Sequence, residues 1–147
     1  IWIGLIKIIL PNSKIILCSR NARDNCLSIY KNFFSNTELN YAYNLKEISE
    51  YYLLYHDLIK YWKKILPNFI YDFFYEDVIK NPTQQIKNLI KNCNLKWDDS
   101  CLKFYNNKRP VKTASHVQVR KKIYDTSVNS WTNYEKYLKD FFDQLPK

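Results

Sequence analysis

Apolar residues change their spacing several times along this chain, and each change marks an element. Ile3 to Leu10 reads as the end of a helix stopped by Pro11, which cannot continue it. Lys14 to Cys18 is a short, β-branched-rich run without alternation, the pattern of a strand buried on both faces. Asn21 then serves as a helix cap, with Asp24 at the third helical position favouring the helix dipole. Cys26, Leu27, Tyr30, Phe33 and Phe34 follow at helical spacing.

The longest periodic stretch runs from Asn44 to Leu66, opened by the capping-box-like pair Asn44 and Glu47. Leu45, Ile48, Tyr52, Tyr55, Ile59, Trp62 and Leu66 repeat by threes and fours. A second stripe of Tyr51, Leu54, Leu58, Tyr61 and Ile65 widens that face until Pro67 ends it, which predicts a strongly packed helix. Phe69 to Tyr75 reads as a second strand closed by Glu76-Asp77. Asn81-Pro82-Thr83-Gln84 supplies a cap, an N1 proline and an N3 glutamine for another helix, with Ile86, Leu89, Ile90 and Cys93 on its buried side. Asn106 to Pro110 is a loop, and Val128 to Leu145 is helical in pattern. Strand, helices, strand, helix is the rhythm of an α/β fold with a parallel sheet flanked by helices.

Composition narrows this picture. The 147 residues, 46% of them hydrophobic, make one domain with enough apolar surface for a core. The chain has no methionine, which leads us to expect a piece of a longer protein. Its one glycine, Gly4, excludes a glycine-rich phosphate loop from these residues. Lysine and arginine exceed aspartate and glutamate by 23 to 14, a net +9 that favours anionic partners. Between Ser100 and Tyr124 lie seven basic residues and no acid: Lys103, Lys108, Arg109, Lys112, Arg120, Lys121 and Lys122. Cys18, Cys26, Cys93 and Cys101 have no CxxC spacing and read as buried free thiols, which fits a reducing, cytoplasmic setting. His56 and His116 stand 60 residues apart without ligand-spaced partners and give no support for a metal site. The opening apolar run, interrupted by Lys7, is too short to span a bilayer.

In open α/β sheets, ligands gather at the carboxyl ends of the strands. The first strand delivers Ser19 and Arg20 there, and Ser28 follows seven residues after the cap, on nearly the same azimuth of the helix. The two could share one phosphate; equally, Ser28 could bond its own backbone and Arg20 could be a surface residue. Tyr75 reaches the same edge from the second strand, either to meet a base or to seal the sheet. The basic stretch holds Thr113, Ala114 and Ser115 and reads as a lid over a polyanion or as a solvated face.

Four blocks in order carry a resemblance: KIILCSRNARDNCLSIYKNFF, FFYEDVIKNP, LKWDDSCLKFY and VKTASHVQVRKKIYDTSVNSWTNYEKYL. Together they resemble the carboxyl-terminal part of a sulfotransferase domain, of the bacterial type found behind tetratricopeptide repeats and related to the tyrosylprotein sulfotransferases. The resemblance implies a P-loop-like parallel sheet flanked by helices, incomplete at its N-terminus, over residues 1–147. It implies 3′-phosphoadenosine 5′-phosphosulfate as donor, adenosine 3′,5′-bisphosphate as product, and an acceptor hydroxyl on protein tyrosine, sugar or small molecule.

By the same resemblance, Arg20 and Ser28 grip the 3′-phosphate and Tyr75 contacts the adenine side. Ser115 lies near the transferring sulfuryl group as the catalytic residue. Arg120, Lys121 and Tyr124 belong to a loop that closes over the nucleotide. No metal is implied, and the 5′-phosphosulfate loop and general base are expected upstream. Three positions depart from the family pattern: Ala22 replaces a proline, Asn32 a further arginine, and Ser130 a basic residue ahead of Trp131. The rival readings are a basic nucleic-acid-binding module, a P-loop kinase relative and a non-catalytic interaction domain. The aromatics follow core spacing and do not interleave with the basic stretch, which argues against nucleic acid as partner.

Overall fold

The structure, a computed structural model, describes residues 1–34, 37–107, 109–110, 118–123 and 125–146. Its elements in order are α1 (Ile3–Ile9), β1 (Ile15–Ser19), α2 (Ala22–Lys31), a 3-10 segment (Thr37–Tyr43), α3 (Leu45–Ile65), β2 (Ile70–Phe74), α4 (Tyr75–Lys80) and α5 (Pro82–Asn92). Short 3-10 segments at Asp99–Asn106, Gln118–Arg120 and Ser130–Tyr134 precede α6 (Lys139–Phe142). No helix among the described residues is long and apolar enough to cross a membrane.

β1 and β2 pair in parallel, from Ile15 opposite Ile70 to Ser19 opposite Phe74. With α2 and α3 between them, they make a helix-rich α/β arrangement around a small sheet. The caps behave as their side chains dictate. Asn21 Oδ1 accepts from the amides of Arg23 and Asp24, and Asn44 Oδ1 from those of Lys46 and Glu47. Asn81 accepts from the Gln84 amide, with Pro82 at the first position of α5. Gly4 lets α1 lie against α3, since a Cβ there would sit 2.3 Å from Cη2 of Trp62.

The core is a cluster of Ala22, Cys26 and Leu27 from α2, Ile48 from α3, and Phe141, Phe142 and Leu145 from the chain's end. Trp131 meets Phe142 edge to face at 5.5 Å, a favoured aromatic geometry. This cluster meets only the first two turns of α3, so the helix is less packed than its stripes predict. Ile48 and Ser49 are its buried residues, while Tyr51, Leu54, Tyr61 and Ile65 stand exposed.

Further expectations change. β1 alternates half-buried and exposed side chains, because described elements cover one face more fully than the other. Cys18 is therefore exposed, Cys93 and Cys101 are partly buried, and Cys26 alone is fully buried; all four are free thiols. Val128 to Leu145 is not one helix: Asn129 adopts a left-handed backbone at φ 57°, and the amides of Asn129 and Trp131 bond a side chain of α2. Finally, Tyr75 opens α4 directly after β2, with Glu76 and Asp77 in its first turn, and Phe33 lies beyond the end of α2, 85% exposed.

Candidate functional site

The register of the sheet builds the site. Ser19 pairs with Phe74, so Arg20 and Tyr75 leave the two strands side by side. The Arg20 guanidinium carbon lies 5.3 Å from the centroid of the Tyr75 ring, within cation–π range. The two strand ends are tied together by the Asn21 amide, which donates to Glu76 Oε1 at 2.8 Å. α2 begins at once, and two turns along it Ser28 returns to the same side.

Arg20, Ser28 and Tyr75 line one cavity of about 450 Å³, together with Phe73, Val78 and Ser127. The Arg20 guanidinium donates through Nη2 to the Ser127 carbonyl, and the Ser127 and Tyr75 hydroxyls lie 3.4 Å apart. Arg20 Nε is buried and has no hydrogen-bond partner among the described residues. Asn32 turns back onto Ser28: its Nδ2 donates to the Ser28 carbonyl at 2.6 Å and approaches the hydroxyl at 3.4 Å.

Other expected residues fall elsewhere. Arg120 and Lys121 are exposed and line none of the cavities described here; Arg120 donates to the Arg109 carbonyl. Lys108, Lys112, Thr113, Ala114, Ser115, His116 and Tyr124 lie outside the described residues.

A second cavity of about 530 Å³ shares Cys18, Ser19 and Arg20 with the first and opens toward α3, where Tyr52, Tyr55 and His56 line it. Burial pushes the Tyr52 hydroxyl up to about 12, helped by Cys26, Tyr55 and Glu76, and raises Tyr55 in the same direction. Lys63, at the far end of that cavity, is held by both oxygens of Asp72 at 2.6 and 2.8 Å.

Two contributors escaped the sequence. Ser127 sits in a polar stretch with no periodicity to mark it. Asp24 looked like a dipole partner at a helix start, yet it is 1% exposed and accepts three hydrogen bonds from residues 129–131. His56 is exposed and shares the wall of the second cavity with Lys60 and Lys63 of α3.

Comparison with known proteins bears on this arrangement. The family model described as "Sulfotransferase family" matches residues 2–99, which include β1, α2, α3, β2 and α5. An uncharacterized protein of Aquifex aeolicus (strain VF5) is 38% identical over 139 residues, covering 93% of this chain. The chain spans 18% of that relative's length. A family match over most of the chain, within which Arg20, Ser28 and Tyr75 all fall, settles the kinship: this chain belongs to the sulfotransferase family.

Proposed function

We propose that this chain forms the 3′-phosphate and adenine side of a 3′-phosphoadenosine 5′-phosphosulfate site in a sulfotransferase, with adenosine 3′,5′-bisphosphate as product. One observation carries the reading: Arg20, Ser28 and Tyr75 line a single cavity in which a buried guanidinium nitrogen has no partner among the described residues. A permanently charged donor in that state suits an anion, because an unsatisfied buried N–H is costly and a phosphate oxygen is a strong acceptor.

When bound, that nucleotide supplies an activated sulfuryl group for transfer to an acceptor hydroxyl. The chain's own residues hold one side of the nucleotide. Arg20 offers charge and directional donors, and Ser28 adds a hydroxyl from the facing helix. The Tyr75 ring gives a flat apolar surface on the adenine side. Arg120, Lys121 and Tyr124, on a basic segment, close over the nucleotide, and Ser115 stabilises charge near the transferring group. With a single glycine in 147 residues, the 5′-phosphosulfate loop is supplied by sequence outside them. The acceptor hydroxyl belongs to a protein tyrosine, a sugar or a small molecule.

Calorimetry with adenosine 3′,5′-bisphosphate tests the reading. Arg20→Ala removes a charge-assisted contact of about 1.5–3 kcal/mol, so affinity falls roughly ten- to a hundredfold while the circular dichroism spectrum stays unchanged. Mixed-sequence RNA should not displace the nucleotide. Unaltered affinity in the variant, or displacement by RNA, speaks for a basic nucleic-acid module instead.

A further inference from the structure

Asp24 stands on α2 four residues after Arg20 and four before Ser28. Its side chain is 1% exposed, and the buried carboxylate accepts from the Asn129 amide at 2.7 Å, the Ser130 hydroxyl at 2.9 Å and the Trp131 amide at 2.9 Å. All three donors come from one turn on the far side of the sequence. The neighbouring Arg23 adds to the grip, its guanidinium 4.4 Å above the Trp131 ring. A buried carboxylate is costly unless hydrogen-bonded, and this one has matched its two oxygens to three donors.

The same turn holds an uncommon backbone. Asn129 sits in the left-handed region at φ 57°, a conformation that persists in a non-glycine residue when its surroundings hold it. The Asp24 bond to the Asn129 amide is such a hold. Two residues earlier the chain presents Ser127, whose carbonyl receives the Arg20 guanidinium and whose hydroxyl lies 3.4 Å from that of Tyr75. A long arginine side chain has many rotamers, and the Ser127 carbonyl selects one of them.

We infer that Asp24 is the positioning residue of this site: by clamping the turn at 129–131 it sets Ser127, and through Ser127 it fixes the Arg20 guanidinium beside Tyr75. It also anchors the point at which the chain returns from the basic segment carrying Arg120 and Lys121. Asp24 touches no nucleotide in this scheme; it acts through another residue's backbone. The ligand consequence rests on the function proposed above, whereas the clamp itself does not.

Three measurements on the full-length protein separate the two. Hydrogen exchange reads the Asn129 and Trp131 amides, nuclear magnetic resonance reads the Arg20 Nε–H signal, and calorimetry reads adenosine 3′,5′-bisphosphate. Asp24→Asn turns one acceptor oxygen into a donor facing another donor. Exchange at both amides should then quicken about tenfold or more, and the Arg20 Nε–H should lose its protection. Nucleotide affinity should fall about tenfold, with exchange in β1 unchanged. Ser130→Ala removes one donor alone and gives the same changes on a smaller scale, which decides the matter should Asp24→Asn not fold. Ser28→Ala should weaken the nucleotide and leave the turn's exchange untouched.

The inference is overturned if the turn's exchange is unchanged in Asp24→Asn. It is equally overturned if the turn loosens while the Arg20 signal stays protected. A wild-type full-length protein that binds no nucleotide overturns the proposed function, and the Arg20 signal then decides the clamp alone.

Discussion

At the scale of single residues, environment separates side chains that composition treats alike. Cys18 and Cys26 lie on consecutive elements, yet one is exposed and the other fully buried among Leu27, Ile48 and Phe142. Burial pushes the Cys26 thiol from 9.0 up to about 12, because the thiolate loses its hydration there. Only the thiolate attacks an alkylating reagent, so its population at Cys26 stays small until the pH approaches that value. Maleimide labelling of the folded chain at pH 7 to 9, read by mass spectrometry, should mark Cys18 and spare Cys26. Labelling of both at equal rates would mean that α2 does not bury its face as described. The four cysteines could be counted in the sequence, but their spacing treated them as one class. Their burial depends on which face of each strand or helix a distant element covers, and that is a long-range fact.

At the scale of elements, the short-range chemistry was legible. Each asparagine cap sits where the sequence marks one, since a cap needs only its own side chain and the next three amides. Asn21 is the most consequential: it caps α2 through two amides and gives its own amide to Glu76. Asn21→Ala should cost about 1 kcal/mol of stability, readable as a lower urea midpoint with unchanged slope. Because the Asn21 amide survives the substitution, the link between strand ends should persist. The extents of the later elements were not legible. Val128 to Leu145 has helical spacing, but Asp24 takes the amides of Asn129 and Trp131 out of any helical ladder. A buried carboxylate more than a hundred residues away in the chain outbids local propensity.

At the scale of the whole molecule, the core among the described residues is small and joins α2 and the start of α3 to residues 131–145. Phe142 is 1% exposed, belongs to the same buried cluster as residues of α2 and α3, and meets the rings of Trp131 and Phe141. Phe142→Ala should cost about 3–5 kcal/mol, near the limit of what a domain of this size can lose, so thermal melting should show a large drop or no transition. A small shift instead would mean that the chain's end packs elsewhere. By itself the sequence determined the α/β rhythm and the caps, and it offered Arg20 and Ser28 as neighbours, because a strand end and two helical turns place residues by local geometry; that Tyr75 joins them follows from the parallel pairing of β1 with β2. Only the tertiary structure decided that Ser127 faces Arg20, that Asp24 grips a distant turn, and that half of α3 stays exposed. Those outcomes depend on contacts between residues far apart in the chain, and periodicity carries no record of which distant groups come to satisfy a buried donor or acceptor.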